Sequence, residues 1–409
     1  MKDTKVEKIG DYLDGKEVAL CVTGGIASIK SPITARALRR YGADVEAYMT
    51  EASLEFVGYK ALEWATERDV ITHLSGYAEH TRKKDLILVA PATLNTIGKA
   101  ANGIADDAVS SLLSSSLGRK TKIVMAPTMH ETMYNNPAYN ENVKKLEEYG
   151  VRFIEPRMDE GKAKIADTEY ITSYVTRELS DSRLKGKKVV ITAGPTRGPI
   201  DNVRYISNRS GGKLGVKIAK EGYLKGADVT LIYGPGKEKV PHYIRRVDVE
   251  TPQQMLDVCM IEMKEADAAI FTAAVLDYEP AEYTDKKIRS TVDNLQVRFK
   301  KTPKIIDEVK KAYRSVFAVG FKLETKKTRE EIVDIAYEKM RKAHLNLIVA
   351  NDLDSIRGDI HPAYIVTPEK GVYETETKDE MVKEIYSILD TRLGVKRFRT
   401  ELIDNGYTE

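Results

Sequence analysis

The chain has 409 residues, more than one hydrophobic core usually holds, because single cores stop growing near roughly 250–300 residues. Its 65 basic and 62 acidic residues give a net charge of +3, so the surface is not polybasic and no nucleic-acid partner is expected. Hydrophobic residues make up 42% of the sequence, yet no apolar run approaches the roughly 20 residues that cross a bilayer, so no membrane partner is expected. We therefore expect a soluble protein of two or three domains.

Two further features favour a cytoplasmic location. The first fifteen residues are charged and lack the apolar segment and small-residue cleavage site of a secretory signal. Cys21 and Cys259 are the only cysteines, which excludes a disulfide framework and a cysteine metal site.

Short apolar runs rich in β-branched residues alternate with helical patterns in the first half of the chain. The predicted strands span residues 18–23, 44–49, 86–90, 122–126 and 152–154. This alternation is typical of a parallel sheet with helices on both faces. A polar amphipathic stretch at 167–188 follows, and we divide the chain into domains 1–184 and 185–409.

The second half repeats this pattern and ends differently. Its predicted strands span residues 189–192, 228–233, 268–272, 316–321 and 346–349, with helices at 213–225, 252–264, 303–313 and 328–343. Alternating residues at 363–367 and 371–375 predict a terminal hairpin beside a last helix, 378–393. The fold class is therefore α/β, with two doubly wound Rossmann-like domains, and the tail after Val395 has no interpretable pattern.

Glycines follow the first predicted strand directly, at residues 23–28, and such a turn at a helix N-terminus is a general anion site. An ordinary tight turn would also explain the glycine pair alone. Three more polar loops, 49–51, 90–96 and 126–134, follow strands at the same expected sheet edge. Because open α/β sheets bind ligands at that edge, these loops predict one ligand crevice.

These loops read GGIA at 24–27, PATLNT at 91–96, GIADD at 103–107 and PTMHETMY at 127–134, and they resemble the homo-oligomeric flavin-containing cysteine decarboxylases. The resemblance implies a flavodoxin-like first domain that binds FMN, which accepts electrons from the substrate thiol so that CO₂ can leave. The implied FMN-binding residues are Gly24, Gly25, Ile26, Ala27, Ser28, Thr50, Pro91, Ala92, Thr93, Asn95, Thr96 and Asp107.

The same resemblance implies catalytic residues and shows two departures. His80 matches the family's essential basic residue, with His73 as the alternative and a solvated histidine as the non-functional explanation. His130 replaces an asparagine of the family and could donate a hydrogen bond to the substrate carboxylate. The flap at 160–167 lacks the family's proton-donating cysteine, so either a lysine or solvent does that work or the reductive half of the reaction differs. Lys162 and Lys164 are equally well explained as proton donors and as exposed flap charges.

A long polar run at 191–215 begins the second domain, and we expect a functional, structureless loop between its strand and its helix. Its glycines come too late for a dinucleotide-binding turn, in which they follow the strand directly. This spacing disfavours a nicotinamide-dependent dehydrogenase.

The run closely resembles the motif of the phosphopantothenate–cysteine ligases, and segments 271–278, 286–289, 319–324 and 347–352 match that family in order. The resemblance implies that CTP activates a carboxylate before cysteine attacks it. Lys287 would stabilise the phosphoryl transition state, Asp277 would hold Mg²⁺ on the triphosphate, and Asn208 would hold the acyl intermediate. The implied nucleotide-binding residues are Phe271, Thr272, Ala273, Asp277, Lys287, Pro303, Lys304, Ile305, Ile306, Phe321, Lys339 and Ala343.

Each of these three polar residues also has a structural alternative. Asp277 could cap a turn, Asn208 could fill a left-handed backbone position, and Lys287 could be a solvated cation.

Both resemblances lie on one chain, which is thus similar to the bifunctional decarboxylase–ligase family of coenzyme A synthesis. The family's substrates are the small molecules 4′-phosphopantothenate, cysteine and CTP, and its product is 4′-phosphopantetheine. The resemblance implies a homo-oligomer, with trimers of decarboxylase domains and dimers of ligase domains. The sequence leaves open whether CTP or ATP is the preferred nucleotide. The alternatives are an FMN-binding regulatory protein with a ligase-like domain and a two-domain NAD(P) oxidoreductase.

Overall fold

The computed structural model describes residues 4–289, 294–357 and 360–394, so the tail after Val395 lies outside the described residues. The chain divides into two compact units, Met1–Ser180 and Asp181–Glu409. In the described part of the chain, no helix is both long enough and apolar enough to span a bilayer.

The first unit is built on a five-stranded parallel sheet in the order β2-β1-β3-β4-β6, which is the flavodoxin-like order and confirms the predicted fold. Its strands are β1 (Glu17–Val22), β2 (Asp44–Met49), β3 (Leu86–Ala92), β4 (Lys122–Pro127), β5 (Met129–His130), β6 (Arg152–Phe153), β7 (Arg157–Asp159) and β8 (Lys162–Lys164). Its helices are α1 (Ser31–Arg40), α2 (Glu51–Leu54), α3 (Tyr59–Thr66), α4 (Leu94–Ala101), α5 (Ala108–Gly118), α6 (Glu131–Tyr134), α7 (Pro137–Glu148) and α8 (Thr168–Leu179).

This sheet separates two hydrophobic cores. Along β1, Val18, Leu20 and Val22 join one core, while Ala19 and Cys21 join the core on the other face. Successive side chains of a strand point to opposite faces, so a strand that is apolar at nearly every position is covered on both sides.

The second unit contains an eight-stranded sheet in the order β13-β12-β9-β14-β17-β18-β19-β20. Its strands are β9 (Lys188–Ala193), β10 (Arg197–Pro199), β11 (Tyr205–Ser207), β12 (Asp228–Tyr233), β13 (Arg245–Asp248), β14 (Ala268–Phe271), β15 (Tyr278–Pro280), β16 (Phe299–Lys301), β17 (Phe317–Glu324), β18 (Leu347–Asp352), β19 (Ile360–Val366) and β20 (Val372–Thr377). Its helices are α9 (Lys213–Leu224), α10 (Pro252–Glu262), α11 (Ile305–Ala312), α12 (Arg329–Lys342) and α13 (Lys378–Gly394).

Six neighbouring strands of this sheet pair in parallel, in the order β13, β12, β9, β14, β17 and β18. The predicted terminal hairpin, β19 and β20, pairs antiparallel on the β18 edge. All five strands predicted in each half of the chain are present, and so are the four helices predicted between strands of the second unit. The edge strand β13 was not predicted, because Arg245, Arg246 and Asp248 give it no apolar run.

Short antiparallel hairpins stand at the carboxyl edges of both sheets. In the first unit β8 pairs with β5 and β7, and in the second unit β10 pairs with β11 and β15 with β16. The prediction of a structureless loop at 191–215 was therefore wrong, since this run contains the β10–β11 hairpin.

The two cysteines are buried in different units, Cys21 in β1 and Cys259 in α10. Burial raises the pKa of both thiols, that of Cys259 to about 12, because a thiolate is poorly stabilised away from water.

Candidate active sites

A cavity of about 1010 Å³ lies at the carboxyl edge of the first sheet. Its walls come from the segments that follow β1, β2, β3 and β4, together with β8, so the structure brings the predicted loops together. The predicted residues that line it are Gly24, Gly25, Ile26, Ala27, Thr50, Thr93, Asn95, Thr96, Asp107 and His130.

The glycine turn in this cavity is shaped by a close approach and by a buried hydroxyl. A Cβ on Gly24 would lie 2.6 Å from the Ala52 Cβ, so a larger residue would push the turn away from α2. Ser28 does not line the cavity, and its buried hydroxyl donates to the carbonyl oxygens of Thr23 and Gly25 at 2.8 and 2.5 Å. Ser28 therefore fixes the turn rather than facing a ligand.

Pro91 and Ala92 also lie behind the cavity wall, because β3 continues through them into what we expected to be a loop. The Pro91 carbonyl accepts a hydrogen bond from the Thr23 hydroxyl at 2.8 Å. Pro91 therefore holds the glycine turn against β3, and neither Pro91 nor Ala92 faces the cavity.

One polar group in this wall has no partner. The Thr50 Oγ1 atom is buried and makes no hydrogen bond within the described chain. Buried polar atoms are rarely left unpaired, so Thr50 Oγ1 is a ready hydrogen-bonding group for a ligand in the cavity.

Two helices begin at this cavity. Thr93 Oγ1 accepts from the Thr96 N–H at the start of α4, and Asp107 accepts from the Ser110 N–H at the start of α5. Asp107 also pairs with Lys99, which lines the cavity and was not predicted. The Asp107 carboxylate is thus engaged in capping and in an ion pair, which explains its position without a direct ligand contact.

The predicted basic residues are placed unequally. His130 lines the cavity in β5, paired with Lys162 of β8. His80 lies in a short 3₁₀ turn, Glu79–Thr81, outside the cavity lining, and its Nδ1 is buried without a partner in the described chain. His73 is exposed beside a separate, largely acidic cavity.

A second cavity, of about 620 Å³, lies in the second unit at the carboxyl ends of β14 and β17 and at the start of α11. The predicted nucleotide-binding residues that line it are Phe271, Ala273, Asp277, Pro303, Lys304, Ile305, Ile306, Phe321, Lys339 and Ala343. Thr272 stands behind this wall, and its hydroxyl donates to the Thr192 carbonyl at 2.6 Å.

Positive charge is concentrated in this cavity. Lys304, Lys322, Lys339 and Lys342 line it, against the two carboxylates Asp277 and Asp307. The pKa of Lys339 is lowered by burial, then by the neighbouring ammonium groups of Lys322 and Lys304, and only partly restored by the carboxylates. Ammonium groups that repel one another around a cavity favour an anionic ligand.

The first turn of α11 adds backbone donors to the same wall. Lys304 is the N-cap residue and makes no side-chain cap, while Ile305 and Ile306 begin the helix. The N–H groups of a helix's first turn have no intrahelical partner and bind phosphate readily.

Asp277 is exposed, and its Oδ1 lies 2.5 Å from the Lys304 Nζ. Over the described ranges there is no group of three or more side chains that could hold a metal ion by itself. Mg²⁺ commonly binds through one or two carboxylates and completes its shell with substrate phosphates and water, so Asp277 fits that mode.

Asn208 and Lys287 lie outside the cavity lining. Asn208 Nδ2 donates to the carbonyl oxygens of Ala274 and Val275, at 3.0 and 3.3 Å, and both residues line the cavity. Asn208 does not have positive φ, so the left-handed alternative was wrong. Lys287 is exposed in the segment between β15 and β16.

Sequence reasoning missed several lining residues in the second unit. Lys322 stands beside the predicted Phe321 at the carboxyl end of β17, and Asp307 and Lys342 lie on the helices that flank the cavity. The position of Lys322 at a strand's carboxyl end was the available signal.

Comparison with known proteins covers both units. Residues 8–180 match the family model described as Flavoprotein, and residues 184–392 match the DNA/pantothenate metabolism flavoprotein C-terminal domain. A solved structure of the DNA/pantothenate metabolism flavoprotein from Streptococcus pneumoniae is 28% identical, with a TM-score of 0.48, over 51% of this chain and 100% of that chain.

Two curated relatives extend over nearly the whole chain. The Coenzyme A biosynthesis bifunctional protein CoaBC of Thermococcus kodakarensis is 41% identical over 87% of this chain and 89% of the relative. The protein of the same name from Methanocaldococcus jannaschii is 34% identical over 91% of this chain and 92% of the relative. The chain therefore belongs to the family of coenzyme A biosynthesis bifunctional proteins CoaBC.

Proposed function

We propose that this chain catalyses two consecutive steps of coenzyme A biosynthesis. Its second unit joins 4′-phosphopantothenate to cysteine at the expense of CTP, and its first unit decarboxylates the product to 4′-phosphopantetheine with FMN. The proposal is carried by the match to bifunctional relatives over most of the chain, with one suitable cavity in each unit.

The cavity of the first unit fits FMN. Its volume of about 1010 Å³ suits a cofactor, and its glycine turn brings backbone close to the space that a phosphate would fill. Thr50 Oγ1 supplies a buried hydrogen-bonding group that nothing else in the described chain satisfies. When bound, FMN supplies the two-electron acceptor that this decarboxylation requires.

The chain's own residues would then bind the substrate and move protons. His130 lies in the cavity wall and would donate a hydrogen bond to the departing carboxylate. Lys162 lines the same cavity from β8 and has no ion pair within the described residues, so it can deliver a proton there. Lys164 is held by Asp159 and Glu160 instead.

The cavity of the second unit fits a nucleoside triphosphate with Mg²⁺. Phe271, Ala273 and Phe321 provide apolar walls for the base, and the lysines with the α11 N-terminus provide donors for the phosphates. Asp277 provides the carboxylate for the ion. In this arrangement a substrate carboxylate attacks the α-phosphate, pyrophosphate leaves, and an acyl-cytidylate remains for cysteine.

The deciding experiment is a nucleotide panel on the full chain loaded with FMN. With Mg²⁺, phosphopantothenate and cysteine, we expect CTP to yield pyrophosphate and then CO₂. If pyrophosphate is released from ATP in preference to CTP, the co-substrate is ATP rather than CTP. FMN uptake without CO₂ release would favour the regulatory alternative, which the missing flap cysteine leaves open, and the absence of both products would refute the proposal.

Asp277 provides a sharper test of the ligase half. We expect Asp277→Asn to lower pyrophosphate release by about 100-fold or more, because one metal-binding oxygen is lost where charge develops. Binding of metal-free CTP should not weaken, because the substitution releases Lys304 from its ion pair, and isothermal titration with EDTA can measure this. Asp334→Asn, on the exposed side of α12, is the matched control and should leave both quantities unchanged.

A further inference from the structure

A buried carboxylate lies in the hairpin β10–β11, outside the lining of both cavities. The Asp201 side chain is 0% exposed. Its Oδ1 atom accepts hydrogen bonds from the backbone N–H groups of Val203 and Arg204 at 2.8 and 2.7 Å. This oxygen closes the turn between the two short strands.

The second oxygen of Asp201 contacts a distant segment. Oδ2 accepts from the Ile288 N–H at 3.1 Å and from Arg204 Nη1 at 2.7 Å. The same Nη1 donates to the Ile288 carbonyl oxygen at 3.1 Å. Both backbone polar groups of the residue that follows Lys287 are therefore held by one ion pair.

The hairpin is in turn fixed to the wall of the ligase cavity. The Thr196 hydroxyl accepts from the Leu276 N–H at 3.0 Å, and the Thr196 N–H donates to the Ala274 carbonyl at 3.4 Å. A Cβ on Gly198 would lie 2.8 Å from Pro280, so β10 packs closely on the strand that leaves this wall. Hydrogen bonds thus connect the cavity wall, the hairpin and the segment that carries Lys287.

Closing the turn does not by itself explain a buried charge. Burial acts to raise the pKa of Asp201, but hydrogen bonds from Ile288, Val203 and Arg204 outweigh burial and lower the pKa to about 2. A buried ion is costly unless its remaining lone pairs are satisfied, and here Arg204 Nη1 and the Ile288 N–H satisfy them. Docking of the Ile288 segment therefore completes the site.

We propose that Asp201 is a positioning residue for the ligase reaction: it fixes the backbone around Lys287 relative to the cavity wall, so that the ammonium reaches the transferring phosphoryl group. This inference rests on the proposed function. Asp201 touches no substrate and acts only through Lys287.

Asp201→Asn separates the two roles of the carboxylate. The remaining oxygen can still accept from Val203 and Arg204, whereas the new amide group cannot accept from Ile288. We expect kcat for CTP-dependent pyrophosphate release to fall about tenfold or more, with KM for CTP changed less than about twofold, since alignment is lost rather than binding. Asp267→Asn is the matched control, because Asp267 pairs with Lys187 and the Lys188 N–H at the opposite end of the strands.

A second measurement reports the segment itself. Trypsin should cleave after Lys287 several-fold faster in Asp201→Asn than in the wild type, as mapped by mass spectrometry, because Ile288 loses its anchor. A wild-type kcat in the variant overturns the proposal, and so does a lowered kcat with an unchanged cleavage rate after Lys287.

A KM for CTP close to that of the wild type shows that the second unit of the variant, which contains Asp201, is folded. If Asp201→Asn does not fold, Arg204→Gln takes its place, since it removes the link to the Ile288 carbonyl and leaves the link to the Ile288 N–H. The same two outcomes then decide. A wild-type chain that releases no pyrophosphate from CTP refutes the proposed function instead, so the two failures are distinguishable.

Discussion

The Lys339 ammonium lies half-buried in the wall of the ligase cavity, where burial and then Lys322 and Lys304 lower its pKa. The folded chain therefore binds this proton less tightly than the unfolded chain does. Stability consequently rises with pH between the folded and the unfolded pKa of this group, and below the folded pKa the charge costs free energy. Such a cost is expected where an anionic ligand supplies the missing partner.

We expect Lys339→Met to raise the melting temperature of the ligand-free protein, because the poorly solvated charge is removed. The same variant should bind CTP about tenfold more weakly, since one charge-assisted contact is lost. In the wild type, CTP affinity should decline as pH rises through the Lys339 pKa, and this dependence should disappear in Lys339→Met. Calorimetry across pH measures both effects, and a variant with weaker folding or unchanged affinity would contradict this assignment.

Asn208 is held by its own amide, which donates to the Ala274 and Val275 carbonyls. Asn208→Asp would place a carboxylate against two carbonyl oxygens. The repulsion would disturb the approach of cysteine to the acyl intermediate. We expect the first turnover of pyrophosphate to persist while amide formation falls, so that acyl-cytidylate accumulates. Rapid quench with radiolabelled CTP detects it, and an unchanged rate of amide formation would remove Asn208 from the site.

At the scale of elements, the small sheet β5-β8-β7 forms one side of the decarboxylase cavity. It presents two lysines in different electrostatic states. Hydrogen bonds from Lys164 to Asp159 and then to Glu160 raise the pKa of Lys164, which therefore holds its proton more tightly. From the sequence, Lys162 and Lys164 were equally well explained as proton donors and as exposed flap charges, and the ion pairs of Lys164 now favour Lys162 as the donor.

We accordingly expect Lys162→Ala to slow CO₂-linked turnover about tenfold or more, as general acid catalysis typically contributes at least that much. Lys164→Ala is the matched control on the same strand and should slow turnover far less. Formation of 4′-phosphopantetheine, followed by mass spectrometry, distinguishes them. Equal rates in both variants would leave solvent as the proton source.

The elements that sequence predicted well are those with long apolar periodicity. The central strands of both sheets are buried on both faces, so their runs of Val, Ile, Leu and Ala are legible without any structure. The hairpin β10–β11 was missed because strands of three residues are too short to show alternation, and because the second oxygen of the Asp201 in its turn is held by Ile288, far along the chain.

The candidate sites were predictable where residues follow strands and unpredictable where they depend on packing. The glycine turn and the Asp277 segment follow β1 and β14 directly, at edges that topology marks. Nothing in the sequence indicated that Ser28, Pro91 and Thr272 turn away from the cavities, since this depends on which hydrogen bonds their groups complete.

At the scale of the whole molecule, His80 lies outside the decarboxylase cavity of its own chain. The resemblance to homo-oligomeric decarboxylases implies sites formed between subunits, and His80 is then expected to act in a neighbour's cavity. The Nδ1 atom of His80 is buried and has no hydrogen-bond partner within the described chain.

Subunit mixing tests this placement. We expect His80→Ala and His130→Ala each to lose CO₂ release while ligation continues. Unfolding and refolding a 1:1 mixture of the two variants should restore about one quarter of the activity, because random assembly pairs an intact cavity with an intact His80 at that frequency. The double variant is the control and should stay inactive. A mixture without activity would favour a role for His80 within its own subunit, whereas CO₂ release by His80→Ala alone would favour His73.

The burial of both cysteine side chains has a practical consequence, because cysteine and the products of both proposed steps are themselves thiols. A thiol-specific dye added to the native protein should report only the small molecules, since Cys21 and Cys259 are inaccessible and un-ionised. Neither amide formation nor loss of CO₂ consumes a sulfhydryl, so the colour should stay constant through both steps. A loss of colour would then measure the amount of intermediate that leaves the enzyme without a free sulfhydryl group.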